Sequence, residues 1–364
     1  MLRTLVSLLL LAGASAHAAM SLPPPRTMHG KPIQCYNKSS GEVCNAGCSH
    51  GSCLWYQVGC MVGCDECSLE GKGMYPTPHD VQCKRGGAPV PKGDTPFPIP
   101  RTLPAAARTW NVANKSSMGD YTAYKPWSSP GASPIADPCG VASGFNADSP
   151  YANPPPGYKA GDRGSQVLKP SLNRTVVRAG GVLEAGFGFE VNHGGGFSYR
   201  LCPAGQKLDE ACFAATPLAF ATDTHTIEWV DGSRAPITIP AMTVTNGVTP
   251  AGSQWRRVPL PACNCDLGEE CWWSDQKNGT KGDSLRAYEQ QPGAEKSSPR
   301  CPTGTQFPVP APDLYGYGDV PAVLIKDQLK IPATLHGDYV LSWRWDCEQT
   351  DQIWSTCADI TVTA

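Results

Sequence analysis

Two histidines carry the clearest chemistry in this 364-residue chain. His17 follows Ala14-Ser15-Ala16, a small-x-small tripeptide of the kind a signal peptidase cuts behind. Arg3 and the apolar run from Leu5 to Ala12 supply the charged and hydrophobic parts of such a leader. Cleavage behind Ala16 makes His17 the first residue of the mature chain. A terminal histidine offers one metal ion two nitrogens, its α-amine and its ring Nδ1. The α-amine, with an ordinary pKa of roughly 8, is readily deprotonated for a metal near neutral pH. Ala16-His17-Ala18 is small-x-small as well, and a cut behind Ala18 discards the histidine. His193 closes an apolar run and precedes Gly194-Gly195-Gly196, so its ring is expected at a strand end beside an open turn, accessible to a ligand. A solvated turn histidine is the alternative. His29, His50, His79, His225 and His336 lack metal-like spacing and read as surface residues.

The elements that must position these residues belong to a turn-rich chain. Gly 38 and Pro 36, against a charged fraction of 17%, point to strands and long loops rather than helices. Formal charge is −2 and the pI is near 6.4, which gives no electrostatic case for nucleic acid or an anionic membrane. The leader is too short to span a bilayer, and no later run approaches the ~20 apolar residues required, so a secreted protein is expected. Cys 17 in an exported chain reads as disulfides, with a dense group from Cys35 to Cys67; the odd count leaves at least one thiol outside an internal pair. Sequons at Asn37, Asn114, Asn173 and Asn278 are consistent with surface loops of a secreted glycoprotein.

Residues 1–16 are therefore read as a signal peptide and 17–364 as a single domain. An insert of about residues 30–165, rich in Cys, Pro, Ser and Gly, has few strand-like runs, and a second cysteine-rich loop spans about 262–310. Strands are predicted at 165–168, 174–178, 182–191, 197–202, 226–230, 236–239, 254–260, 339–346 and 358–362. Short strands separated by turns predict a mostly β fold, an immunoglobulin- or fibronectin-like antiparallel β-sandwich with long disulfide-rich loop insertions. Trp55, Tyr56, Trp110, Tyr121, Tyr124 and Trp127 in the insert offer either stacking surfaces for sugar rings or a small core for the loop itself.

Three stretches in this order carry a family resemblance: His17-Ala18-Ala19-Met20-Ser21-Leu22-Pro23-Pro24-Pro25-Arg26, then Asn192-His193-Gly194-Gly195-Gly196-Phe197-Ser198-Tyr199-Arg200-Leu201-Cys202, then residues 339–347 with 355–362. Together they resemble lytic polysaccharide monooxygenases of the chitin-binding type-4 group. The resemblance implies one copper ion per chain in a histidine brace: the His17 amine and Nδ1 with His193 Nε2. Nitrogen donors suit copper, which stands at the top of the divalent affinity order. It further implies a monomer that receives electrons from an external donor and hydroxylates a C–H bond beside a glycosidic link of chitin or cellulose, at a flat surface.

Two positions depart from the family pattern. Ala18 replaces a glycine that often follows the first histidine. Trp354 stands at the axial position, five residues before Asp359, where Tyr or Phe is usual. An indole there shields the axial face but brings no phenolic oxygen. Trp343 or Trp345 could serve as an electron relay or as sandwich core, and Arg200, Glu348 and Gln349 are candidates for polar roles around the metal. The reading from another class is a non-catalytic carbohydrate-binding or copper-binding protein that retains the brace. No pair of carboxylates in a motif context nominates a conventional hydrolase.

Overall fold

The computed structural model describes residues 18–28, 36–37, 42–43, 54–58, 130–131, 135–145, 154–155, 157–189, 192–245, 248–263, 301, 304–316, 320–347 and 352–364. Along the chain the strands are β1 (Ala18–Leu22), β2 (Tyr36–Asn37), β3 (Glu42–Val43), β4 (Tyr56–Val58), β5 (Thr175–Arg178), β6 (Val182–Phe189), β7 (Gly196–Pro203), β8 (Ala219–Phe220), β9 (Thr224–Trp229), β10 (Ile237–Pro240), β11 (Thr243–Val244), β12 (Trp255–Arg257), β13 (Val323–Lys330), β14 (Gly337–Asp346) and β15 (Gln352–Thr363). The short helices α1 (Gly164–Val167) and α2 (Glu210–Ala214) interrupt them. Among the described residues no helix is long and apolar enough to cross a membrane.

Alternation along the strands decides which residues face inward. One large sheet runs β1-β6-β13-β9-β10 with β8 beside β13; a second runs β11-β12-β7-β14-β15-β4, with β5 pairing parallel to β15; β2 and β3 pair separately as a two-stranded ribbon. In β7 and β14, Phe197, Tyr199, Leu201, Leu341, Trp343 and Trp345 alternate with Ser198, Arg200, Ser342, Arg344 and Asp346. The apolar set meets Leu183, Ala185 and Phe187 of β6 and Val323, Ile325 and Leu329 of β13 in one core. The Phe187 ring lies 4.5 Å from Phe197 and 4.9 Å from Trp343, centroid to centroid, tilted in both cases. Aromatic packing of this kind adds about 0.5–1.5 kcal/mol per pair beyond area burial. The predicted mostly β sandwich is the fold observed.

The N-terminal segment is tied to both sheets. β1 pairs with β6, whereas Met20, Pro25 and Arg26 are each fastened to β15. Met20 N–H donates to Thr356 Oγ1 at 3.4 Å, Pro25 bridges Ala358, and the Arg26 guanidinium grips the Asp359 carboxylate at 2.8 and 2.7 Å. Asp359 also accepts the Ser171 N–H and a contact from Arg174, so this buried charge is well compensated.

Four expectations are corrected or refined by the fold. The segment predicted as a strand at 165–168 is helix α1 up to Val167, because the Asp137 carboxylate collects the Ser165 N–H and hydroxyl and holds the turn closed. His225, read as a surface residue, is fully buried in β9 with its Nδ1 2.9 Å from Asp327 Oδ1; His336 is exposed as expected. Trp55 and Tyr56 are only 2% exposed and belong to the core, so they offer no sugar platform. The insert also contributes to the sheet, since β4 pairs with the start of β15 and Cys139 is disulfide-bonded to Cys357. Further disulfides join Cys202 to Cys212 and, across the second cysteine loop, Cys263 to Cys301. Trp110, Tyr121, Tyr124, Trp127, His29, His50 and His79 lie outside the described residues.

Candidate functional site

His193 occupies the turn between β6 and β7, and the sequence explains the turn. Gly194 and Gly195 adopt φ of 65° and 79°, which favour glycine and lead the chain into β7. Asn192 holds it from within. Its Nδ2 donates to Leu260 O at 2.8 Å and its Oδ1 accepts the Gly194 N–H at 2.9 Å. From outside, Val258 N–H donates to Gly195 O at 2.9 Å and the Trp345 indole N–H donates to Gly194 O at 2.8 Å. These anchors come from distant parts of the chain. The turn is therefore a rigid platform rather than the open bend expected, and His193 is 1% exposed instead of solvent-facing.

The register of β1 places the start of the described chain at the same end of the sandwich. Ala18 pairs with Phe189, the last residue of β6, and His193 follows four residues on. At that end Gly196 pairs with Asp346, Phe197 with Trp345, and Trp345 with Trp354. Trp354 is fully buried, stacks on Tyr56 with centroids 4.8 Å apart and planes at 27°, and donates its indole N–H to Gln352 Oε1 at 3.2 Å. The structure thus brings Trp354, Trp345 and the His193 turn to the end of the sandwich where β1 begins. His17, Glu348 and Gln349 lie outside the described residues. Among the described residues, no three His, Cys, Asp or Glu side chains gather as a metal site.

Arg200 is placed elsewhere. It sits four residues into β7 on the face turned away from the core, bound to Glu210 of α2 and 3.4 Å from Ser342 Oγ. Arg344 reaches the same Glu210 oxygen at 3.4 Å and holds Asp346 at 2.6 and 3.0 Å. Burial pushes the Asp346 carboxyl above its ordinary range, against the pull of Arg344, and holds Arg200 below its own. This network fastens α2 and the segment around Gly131, whose N–H donates to Asp346 Oδ2 at 2.9 Å, onto the sheet. Trp343 and Trp345 are core residues, 6.3 Å apart between ring centroids.

Sequence reasoning passed over Asn192 and Trp345 as clamps of the His193 turn. Asn192 could have been found, since Asn two residues before a glycine is a frequent side-chain-to-backbone turn former. The role of Trp345 depends on a register that only the folded sheet reveals.

No family model matches the chain, and no curated protein matches it. Among solved structures, a chitin binding domain from Burkholderia pseudomallei is 11% identical, over 96% of this chain and 100% of that one, with a TM-score of 0.30. An AA10 lytic polysaccharide monooxygenase from Streptomyces lividans is 13% identical over 52% of this chain and 60% of that one, with a TM-score of 0.22. An AA15 lytic polysaccharide monooxygenase from Thermobia domestica, in the Cu(I) state, is 14% identical over 52% and 62%, again with a TM-score of 0.22. The chain spans less than two thirds of either monooxygenase, and at these values the likeness decides nothing about the site.

Proposed function

We propose that this chain is a secreted, copper-dependent monooxygenase that oxidatively cleaves a β-linked polysaccharide, chitin or cellulose. The observation that supports the reading most is the β1–β6 register: the strand beginning one residue after His17 starts beside the end of the strand that leads to His193. In this reading the His17 amine and Nδ1, with His193 Nε2, hold one copper ion, and nitrogen donors fit that metal. Bound copper supplies the one-electron redox chemistry through which a C–H bond next to a glycosidic link is hydroxylated.

The chain's own residues have separable tasks. Asn192 and Trp345 orient the turn that carries His193. Trp354, stacked on Tyr56, gives the site an apolar wall that excludes water and donates no proton to it. The Arg26–Asp359 pair anchors the strand that leads back to His17. Electrons come from an external donor, and the partner is a polysaccharide surface met by a monomer.

A second reading, a non-catalytic carbohydrate- or copper-binding protein, is favoured by the indole at 354 and by the burial of His193. Ascorbate-driven digestion separates the two. The enzyme reading expects C1- or C4-oxidised oligosaccharides from chitin or cellulose. Copper-loaded protein that binds the polysaccharide and releases none would establish the second reading.

A further inference from the structure

Asn173 opens the sequon Asn173-Arg174-Thr175 in the turn that leads into β5. The backbone around it is fastened. Ser171 N–H donates to Asp359 Oδ2 at 2.8 Å, and Ser171 Oγ accepts the Asn173 N–H at 3.2 Å and donates to Asn173 O at 3.1 Å. Arg174 is drawn inward to Asp359 at 3.3 Å and to Asp338 at 3.5 Å. Asn173 itself is exposed, and its neighbour Leu172 is 100% exposed.

The strand beyond it is an open edge. β5 pairs with β15 on one side, and among the described residues no strand pairs with its other side. Val176 on β5 is 65% exposed, and Val182, which opens β6 of the other sheet across the next turn, is 51% exposed. An unpaired edge with apolar residues along it is a template for pairing with a second chain, and natural sheets blunt such edges by charge, proline, bulge or cover. Here Arg174 is committed to carboxylates, which leaves Arg178 as the exposed charge on the strand.

We propose that Asn173 carries an N-linked oligosaccharide that covers the open edge of β5 and its apolar flank. In the transfer, Asn173 Nδ2 bonds to the anomeric carbon of a lipid-pyrophosphate-linked oligosaccharide. The bond from that carbon to the pyrophosphate oxygen breaks, the lipid pyrophosphate leaves, Nδ2 gives up one proton, and nothing is oxidised or reduced. Thr175 supplies the hydroxyl at the third position of the sequon. The disulfides Cys139–Cys357, Cys202–Cys212 and Cys263–Cys301 fit an oxidising secretory compartment, where this modification is made. Covalent attachment beside Leu172 places a bulky hydrated group against the edge without using a protein partner.

The test uses the full chain secreted from a eukaryotic host. Mass spectrometry of the tryptic peptide 164–174 is expected to show a glycan on most copies, with Asn173 converted to Asp by peptide N-glycosidase. Thr175→Ala is expected to abolish the modification and Thr175→Ser to retain it. A peptide recovered predominantly unmodified from wild-type protein would overturn the attachment. Enzymatic removal of the glycan from native protein is expected to turn a monomer into a concentration-dependent associating species in sedimentation velocity. Stripped and intact protein that remain equally monomeric would overturn the covering role. Neither readout depends on copper.

Discussion

Asn192 shows how much a single side chain contributes to the candidate site. Its amide satisfies a buried carbonyl and a buried N–H at once, and truncation strands both. Leaving a buried group without its partner costs about 1–3 kcal/mol. Asn192→Ala is therefore expected to lower stability by about 2 kcal/mol in urea unfolding and to weaken copper binding in titration calorimetry. Asn192→Asp keeps the acceptor for Gly194 but sets a buried carboxylate against the Leu260 carbonyl, so at neutral pH it is expected to cost at least as much as Asn192→Ala. At this scale the sequence was informative about identity and poor about environment. His193 and Trp354 could be singled out from their neighbours in the chain. That both are buried could not, because their covers, Val258, Leu260, Tyr56 and Trp345, are distant in sequence.

At the scale of elements, Asp137 ties the segment before Cys139 to helix α1. It accepts N–H groups from Cys139 and Ser165 at 2.8 and 3.0 Å and the Ser165 hydroxyl. Burial nevertheless raises its pKa from 3.8 to about 6, the hydrogen bonds offsetting only part of the desolvation. A carboxyl whose folded pKa is raised holds its proton more tightly in the folded state. Its contribution to stability is complete below pH ~4 and is lost as pH rises through about 6. Asp137→Asn preserves an acceptor for both N–H groups and cannot ionise. The difference in unfolding free energy between variant and wild type, measured in urea, is thus expected to widen in the variant's favour from pH 4 to pH 7, by up to about 3 kcal/mol. A difference independent of pH would contradict this. The Asp137 contact also explains the missed helix, since 165–168 has a strand-like composition and is turned by a side chain from a separate segment, before Cys139. β13 was hidden for a related reason. Val323, Ile325 and Leu329 face inward, but the inward place between them is Asp327, and the apolar period fails there.

At the scale of the whole molecule, that inward aspartate joins the two sheets. Asp327 on β13 receives Arg256 from β12 and His225 from β9, and Arg256 also donates to Thr222 O and Thr224 O and lies 3.9 Å over the Phe220 ring. Tyr199 faces the same group; burial, and then the Asp327 charge, push its phenol well above the ordinary range. Arg256→Met leaves a carboxylate buried without its cation, which costs about 3–5 kcal/mol. Combining it with Asp327→Asn is expected to recover part of that loss in chemical denaturation, whereas independent sites would add. The sandwich was legible because β6, β7 and β14 carry uninterrupted alternation. The charged core was not, because Asp327, His225 and Arg256 each look like surface residues until the sheets bring them together.

The central claim is that His193 and the terminal His17 share one copper ion. Electron paramagnetic resonance of the secreted protein loaded with Cu(II), in wild type and in His193→Ala, tests it most directly. One Cu(II) per chain with hyperfine structure from nitrogen ligands is expected, altered and weakened in the variant. No stoichiometric Cu(II) signal, or a signal identical in His193→Ala, would contradict it.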